Sequence, residues 1–133
     1  MEAKKIAVAE RCLHGAETGT MGFPAIVTLL ADEGFDGYLV DYRAATVTYY
    51  LADGTPATLP AKRLDAAIPV AFDAAAVAAA IGEAQAGAAG YTYRGFSAKV
   101  MAAGCAGYLV SLSGRRVVYV GRSGATHVEP IPG

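Results

Sequence analysis

The chain has 133 residues, 54 % of them hydrophobic and 17 % charged, and a formal net charge of −1. This is one domain's length with enough apolar material for a core, which argues against intrinsic disorder. No basic block marks a sequence-independent nucleic-acid binder, and no acidic excess marks a nucleic-acid mimic.

From Met1 the chain enters a polar helical pattern without the apolar stretch of a signal peptide, and nothing approaches the roughly 20 apolar residues of a membrane span. The two cysteines, Cys12 and Cys105, are too few for a disulfide framework or a metal set. The expectation is a cytoplasmic protein with no membrane contact, no metal and no cofactor.

Ile6, Ala9, Leu13 and Ala16 recur at helical spacing and predict a first helix over about 3–16. Pro24, tolerated in a first turn, opens a second helix with Phe23, Ile26 and Leu30 on its apolar stripe. Gly34 closes that helix, because glycine adopts the left-handed conformation without steric cost. Strands are predicted over 38–42 and 47–51, with Asp53-Gly54 as the turn into a third strand ending near Pro60. A mixed segment, 61–73, leads to Asp73 as an N-cap and to a helix over about 74–86 carrying Val77, Ile81 and Ala84. Thr92 then caps a helix with Tyr93, Phe96 and Val100, and Gly104 ends it. Strands over 108–112, 116–120 and 126–129 follow.

The two halves read alike at an offset of 70 residues. Gly34-Phe35-Asp36-Gly37-Tyr38-Leu39-Val40 falls on Gly104-Cys105-Ala106-Gly107-Tyr108-Leu109-Val110. Val47 falls on Val117, Tyr49 on Tyr119, Gly54 on Gly124 and Pro60 on Pro130, while Phe23 falls on Tyr93 and Leu30 on Val100. The prediction is an α+β single domain, 1–133, with an internal duplication. Its two helix–helix–three-strand meander units, about 3–60 and 74–130, would be joined by 61–73 and related by a pseudo-two-fold axis. One sheet covered on one face is the first expectation, and two three-stranded sheets around shared helices is the alternative. The recurring glycine pairs, Gly34 with Gly37 and Gly104 with Gly107, are assigned to turn geometry.

The helix pair, the Gly-Tyr-Leu-Val-Asp-Tyr-Arg run from Gly37 to Arg43, the Thr-Tyr-Tyr that follows at Thr48, and Tyr91-Thr92-Tyr93-Arg94-Gly95-Phe96 resemble the YdfO-like proteins. These form a small bacterial family, some members of which are prophage-encoded and labelled "phage envelope protein". The resemblance covers nearly the whole chain. It implies no activity, cofactor or catalytic residue.

No phosphate-binding loop, zinc-protease helix, nucleophile elbow or Cys-x-x-Cys motif occurs. Matched positions of like chemistry are assigned to the fold, among them Tyr38, Tyr49, Tyr108 and Tyr119. Polar residues facing an unlike counterpart are then the site candidates. Asp41 faces Ser111, Arg43 faces Ser113, Tyr50 faces Val120, Arg122 faces Ala52, His127 faces Ala57 and Glu129 faces Leu59. Tyr42, Tyr91 and Arg94 also lack a like partner. Cys12 and Cys105 read as small buried hydrophobes, and His14 as a helix-surface residue.

Two readings follow. The first is a non-enzymatic accessory or regulatory module, a monomer or homodimer. It would bind a protein partner or small molecule at the junction of its halves through Asp41, Arg43, Tyr50 and Arg94, since tyrosine and arginine dominate recognition surfaces. The second is a small hydrolase or isomerase. His127 and Glu129 share one face of a strand, where a carboxylate can orient an imidazole for general base work.

Overall fold

The computed structural model describes residues 1–132. Helix α1 (Ala3–Thr18) buries Ala9, Cys12 and Leu13 along one stripe. Helix α2 (Phe23–Asp32) carries Pro24 in its first turn and buries Ile26, Val27 and Leu30. Strands β1 (Phe35–Asp41), β2 (Thr46–Leu51) and β3 (Pro56–Pro60) follow as an antiparallel meander. Helix α3 (Ala74–Gln85) is capped by Asp73, whose carboxylate accepts from the Ala76 amide at 3.0 Å. Helix α4 (Tyr93–Ala102) is capped by Thr92, whose hydroxyl accepts from the Gly95 amide at 3.0 Å. Each cap satisfies an amide that the helix leaves without a partner, worth about 1 kcal/mol. Strands β4 (Cys105–Ser111), β5 (Arg116–Gly121) and β6 (Thr126–Pro130) form a second antiparallel meander.

All six strands join one antiparallel sheet in the order β3-β2-β1-β4-β5-β6, so the two-sheet alternative does not occur. The central pair β1 and β4 sets Leu39 opposite Leu109. Alternation then decides the faces. Tyr38, Val40, Val47, Tyr49, Tyr108, Val110, Val117 and Tyr119 are buried on the side the helices cover. Leu39, Leu109 and Val128 stay exposed on the bare face. The edge strands β3 and β6 carry Pro56, Pro60 and Pro130, which lack the amide that would extend the ladder.

Strands β1 and β4 each begin three residues earlier than alternation predicts. A bulge between Phe35 and Gly37, and another between Cys105 and Gly107, breaks the period-two pattern there. The glycine assignment needs a correction at the same places. Gly34 and Gly104 do hold left-handed backbone, with φ of 85° and 96°. Gly37 and Gly107 do not; they lie within strands. A Cβ on Gly37 would stand 2.1 Å from the Val110 carbonyl oxygen, and one on Gly107 would stand 2.2 Å from that of Val40. Close approach of β1 and β4, not turn geometry, requires these two glycines.

Segment 61–73 has no helix or strand but is tied down. The Lys62 amide donates to the Glu17 carboxylate at 2.7 Å, and the Asp73 amide donates to the Ala103 carbonyl at 2.8 Å. The Arg122 guanidinium donates to the carbonyl of buried Ile68 at 2.8 Å, which gives this polar position a structural task. Among the described residues no helix is long and apolar enough to cross a membrane. No three His, Cys, Asp or Glu side chains among them gather as metal ligands.

Candidate functional site

The layer between helices and sheet is underfilled. The inner stripes of α1 and α3 interleave small residues (Ala9, Cys12 and Ala16 on one, Ala80 and Ala84 on the other) with Leu13, Val77 and Ile81. Four tyrosines rise from the sheet beneath them. What remains is a cavity of about 720 Å³, bounded by all four helices, by the sheet and by the end of β6. A volume of this order suits a drug-sized organic molecule.

Tyr49, Tyr38, Tyr108 and Tyr119 form a row across β2, β1, β4 and β5 as the cavity floor. Ring centroids are 5.3 Å apart in the pairs Tyr38–Tyr49 and Tyr108–Tyr119, and 6.4 Å between Tyr38 and Tyr108. The Tyr108 hydroxyl shares a 2.7 Å hydrogen bond with that of Tyr93 on α4. Tyr38, Tyr49 and Tyr119 are only 6 %, 3 % and 6 % exposed, and their hydroxyls meet no hydrogen-bonding group among the described residues. Yet no buried side-chain polar atom among those residues is sealed without a partner, so these three hydroxyls open into the cavity. Burial pushes all three phenols above the ordinary tyrosine range, which keeps them protonated and able to donate at neutral pH.

Charge is confined to Arg115 and Glu129 in the cavity lining. The Arg115 guanidinium donates to the Pro132 carbonyl at 3.1 Å. Glu129 holds His127 Nε2 at 2.9 Å, so the predicted same-face pairing forms. Glu129 borders the cavity, whereas His127 is absent from its lining and lies against the Tyr119 ring at a centroid distance of 6.4 Å.

The other anticipated site residues are dispersed. Asp41 accepts from the Arg43 and Ala44 amides, both at 3.0 Å, and so closes the β1–β2 turn. Ser111 performs the same task from its hydroxyl, accepting from the Gly114 amide at 2.8 Å. Asp41 and Arg94 both border a smaller cleft of about 110 Å³, with Tyr42, Glu17 and Lys62. The Tyr42 hydroxyl there donates to buried Ser97 at 3.2 Å. Arg43 is exposed and contributes its carbonyl to Arg63. Tyr50, next to inward-facing Tyr49, points to the bare face of the sheet, away from both hollows. Asp41, Arg43, Tyr50 and Arg94 therefore do not form one constellation.

Both cysteines are buried, and burial raises their thiols, that of Cys12 to about 11. Cys105 donates its thiol to the Gly107 carbonyl at 3.2 Å. Neither is poised as a nucleophile.

Set against known proteins, the chain matches no family model and no curated sequence. The reading of its function rests on the cavity.

Proposed function

We propose that this chain is a non-enzymatic accessory or regulatory module that holds a small, mainly apolar molecule between its helices and its sheet, at the junction of two duplicated units. The observation that carries this reading is the cavity of about 720 Å³ over a floor of four tyrosines. A hollow of this size, walled mainly by apolar side chains with a few convergent hydroxyls, has the usual form of a small-molecule site.

The duplication is supported by the repeated helix–helix–three-strand order in 3–60 and 74–130, and by the register of the central pair. Leu39 opposite Leu109 is the pair at the 70-residue offset, and Gly37–Ser111 and Asp41–Gly107 flank it equivalently. Kinship with the YdfO-like proteins belongs to the same proposal and rests on the sequence runs that resemble them. A cytoplasmic setting is favoured by two buried cysteines kept as thiols.

Titration with a neutral lipophilic fluorophore such as N-phenyl-1-naphthylamine tests the proposal. The expected result is one saturable site and a melting temperature that climbs with probe concentration. Failure of any neutral apolar probe to saturate or to stabilise the fold would overturn it.

The hydrogen bond between His127 and Glu129 beside the cavity supports a second reading, a small hydrolase or isomerase. His127 lies outside the lining, which weakens that reading, because a general base must reach the proton it removes. A hydrolytic or isomerising activity lost by about 10²–10⁴ in His127→Ala, with ligand affinity unchanged, would favour the enzyme.

A further inference from the structure

The three open phenols narrow the ligand's chemistry. Tyr108 has its hydroxyl engaged by Tyr93, but Phe23 stands at the corresponding place on α2, so nothing there engages Tyr38. Tyr49 and Tyr119 are likewise without protein partners, and all three are more than nine-tenths buried while opening into the cavity. These hydroxyls reach open space, so an occupant that displaces water from them without bringing acceptors leaves them unpaired at a cost, and one that brings acceptors to these positions is favoured.

The rings pack against one another at centroid distances of 5.3 Å within each pair, so neighbouring rings already take up their faces. The hydroxyl ends reach the open space, which suits an acceptor-bearing ligand better than a cation seated on aromatic faces. The lining holds one charge of each sign, and both are engaged: Glu129 with His127, and Arg115 with the Pro132 carbonyl. Arg115 keeps its charge but is solvent-exposed, so water screens it and it offsets little of the desolvation of an ionic ligand.

Resting on the cavity reading above, we infer that the ligand is a neutral, largely apolar and ring-sized organic molecule with carbonyl or ether oxygens, which accept hydrogen bonds from Tyr38, Tyr49 and Tyr119. Apolar burial against the helices supplies the bulk of its affinity. The phenols select the acceptor-bearing molecule from its hydrocarbon analogue, since a site built to donate hydrogen bonds discriminates against a partner that cannot accept them.

Fluorenone and fluorene, which share a ring frame and differ in the carbonyl, test this by calorimetric titration of the full chain. The parent is expected to bind fluorenone about 10-fold or more tightly than fluorene. In the triple variant Tyr38→Phe, Tyr49→Phe, Tyr119→Phe the two affinities should converge, that for fluorenone falling and that for fluorene rising as the hydroxyls it leaves unpaired are removed. These substitutions keep ring volume and remove only hydroxyls without protein partners, so the variant should remain folded. The bound carbonyl stretch should fall in frequency in the parent and recover in the variant, a signal that a purely structural role for the phenols would not move. Equal binding of both probes by the parent would overturn the acceptor inference and leave the cavity reading intact. Binding of neither would overturn both. Tightest binding by a fluorene bearing a quaternary ammonium group would overturn it in favour of an aromatic cation site.

Discussion

Gly107→Ala and Gly37→Ala are each expected to lower the unfolding free energy by about 3 kcal/mol or more, the severe end of overpacking. The added methyl would stand 2.2 Å from the Val40 carbonyl oxygen in one case and 2.1 Å from that of Val110 in the other. Neither obstacle is a side chain that can swing aside; each is backbone in the central strand pair. Relief requires β1 and β4 to separate where they join the two meanders, with loss of the flanking ladder bonds. For a domain of ordinary stability, about 5–15 kcal/mol, this is a large fraction of the total. Gly34→Ala is the control. Its φ of 85° is unfavourable for alanine, but the nearest atom a Cβ would meet is the Lys5 ammonium at 3.8 Å. Its cost should be the strain alone, about 1–2 kcal/mol. Urea unfolding of the three variants checks the ranking, and equal losses at Gly34 and Gly107 would contradict it. By the same logic Gly34→Val should cost about 1–3 kcal/mol, since a β-branched residue is strained at positive φ. A Cβ on Gly104 also meets the Ala71 carbonyl at 2.1 Å, so Gly104→Val should cost more.

Filling the cavity should stabilise the fold and abolish binding. Ala16 on α1 and Ala84 on α3 both line the hollow and are half-buried. Leucine at both positions adds apolar carbons to a space far larger than they need, with little loss of helix propensity. Each substitution should add about 1 kcal/mol of stability, less than full burial of the added carbons would give. Affinity for neutral ring probes should fall by about 100-fold or more, since the volume that would receive them is occupied. Calorimetry paired with urea midpoints separates this from simple damage. A variant that is more stable yet binds as tightly as the parent would show that the ligand sits elsewhere.

Much of the local structure is legible in the sequence for identifiable reasons. Asp73 and Thr92 announce α3 and α4 because short polar side chains there accept from amides that no helix carbonyl reaches. Gly34 and Gly104 mark the ends of α2 and α4 because the chain turns left-handed there. The bulges at the start of β1 and β4 are not legible, since alternation is the only strand signal and a bulge interrupts it. Gly37 and Gly107 are recognisable as important but not for what, because the backbone approach they permit is a tertiary fact.

The site was harder to read. Setting aside matched positions as structural removes Tyr38, Tyr49, Tyr108 and Tyr119, and these make the cavity floor. The four are buried in the core, as their matching implies, but a hollow spanning the centre of the sheet draws its floor from both meanders, so under the proposed function matched residues serve it together. One sequence signal does point to it. Alanines and a cysteine interspersed on the inner helix stripes above a row of tyrosines leave volume unfilled, and a tyrosine in a core position needs a partner for its hydroxyl. Two of the asymmetric residues have local tasks instead. Asp41 closes a turn and Arg122 pins the Ile68 carbonyl, neither of which can be read from charge or from the unlike counterpart.

A crystal structure of the parent chain grown with fluorenone tests the central claim most directly. The account predicts density for one molecule between α1–α4 and the sheet, with the carbonyl oxygen within hydrogen-bonding distance of Tyr38, Tyr49 or Tyr119. An empty cavity at saturating fluorenone, or a molecule found only on the bare face beside Leu39 and Leu109, would contradict it.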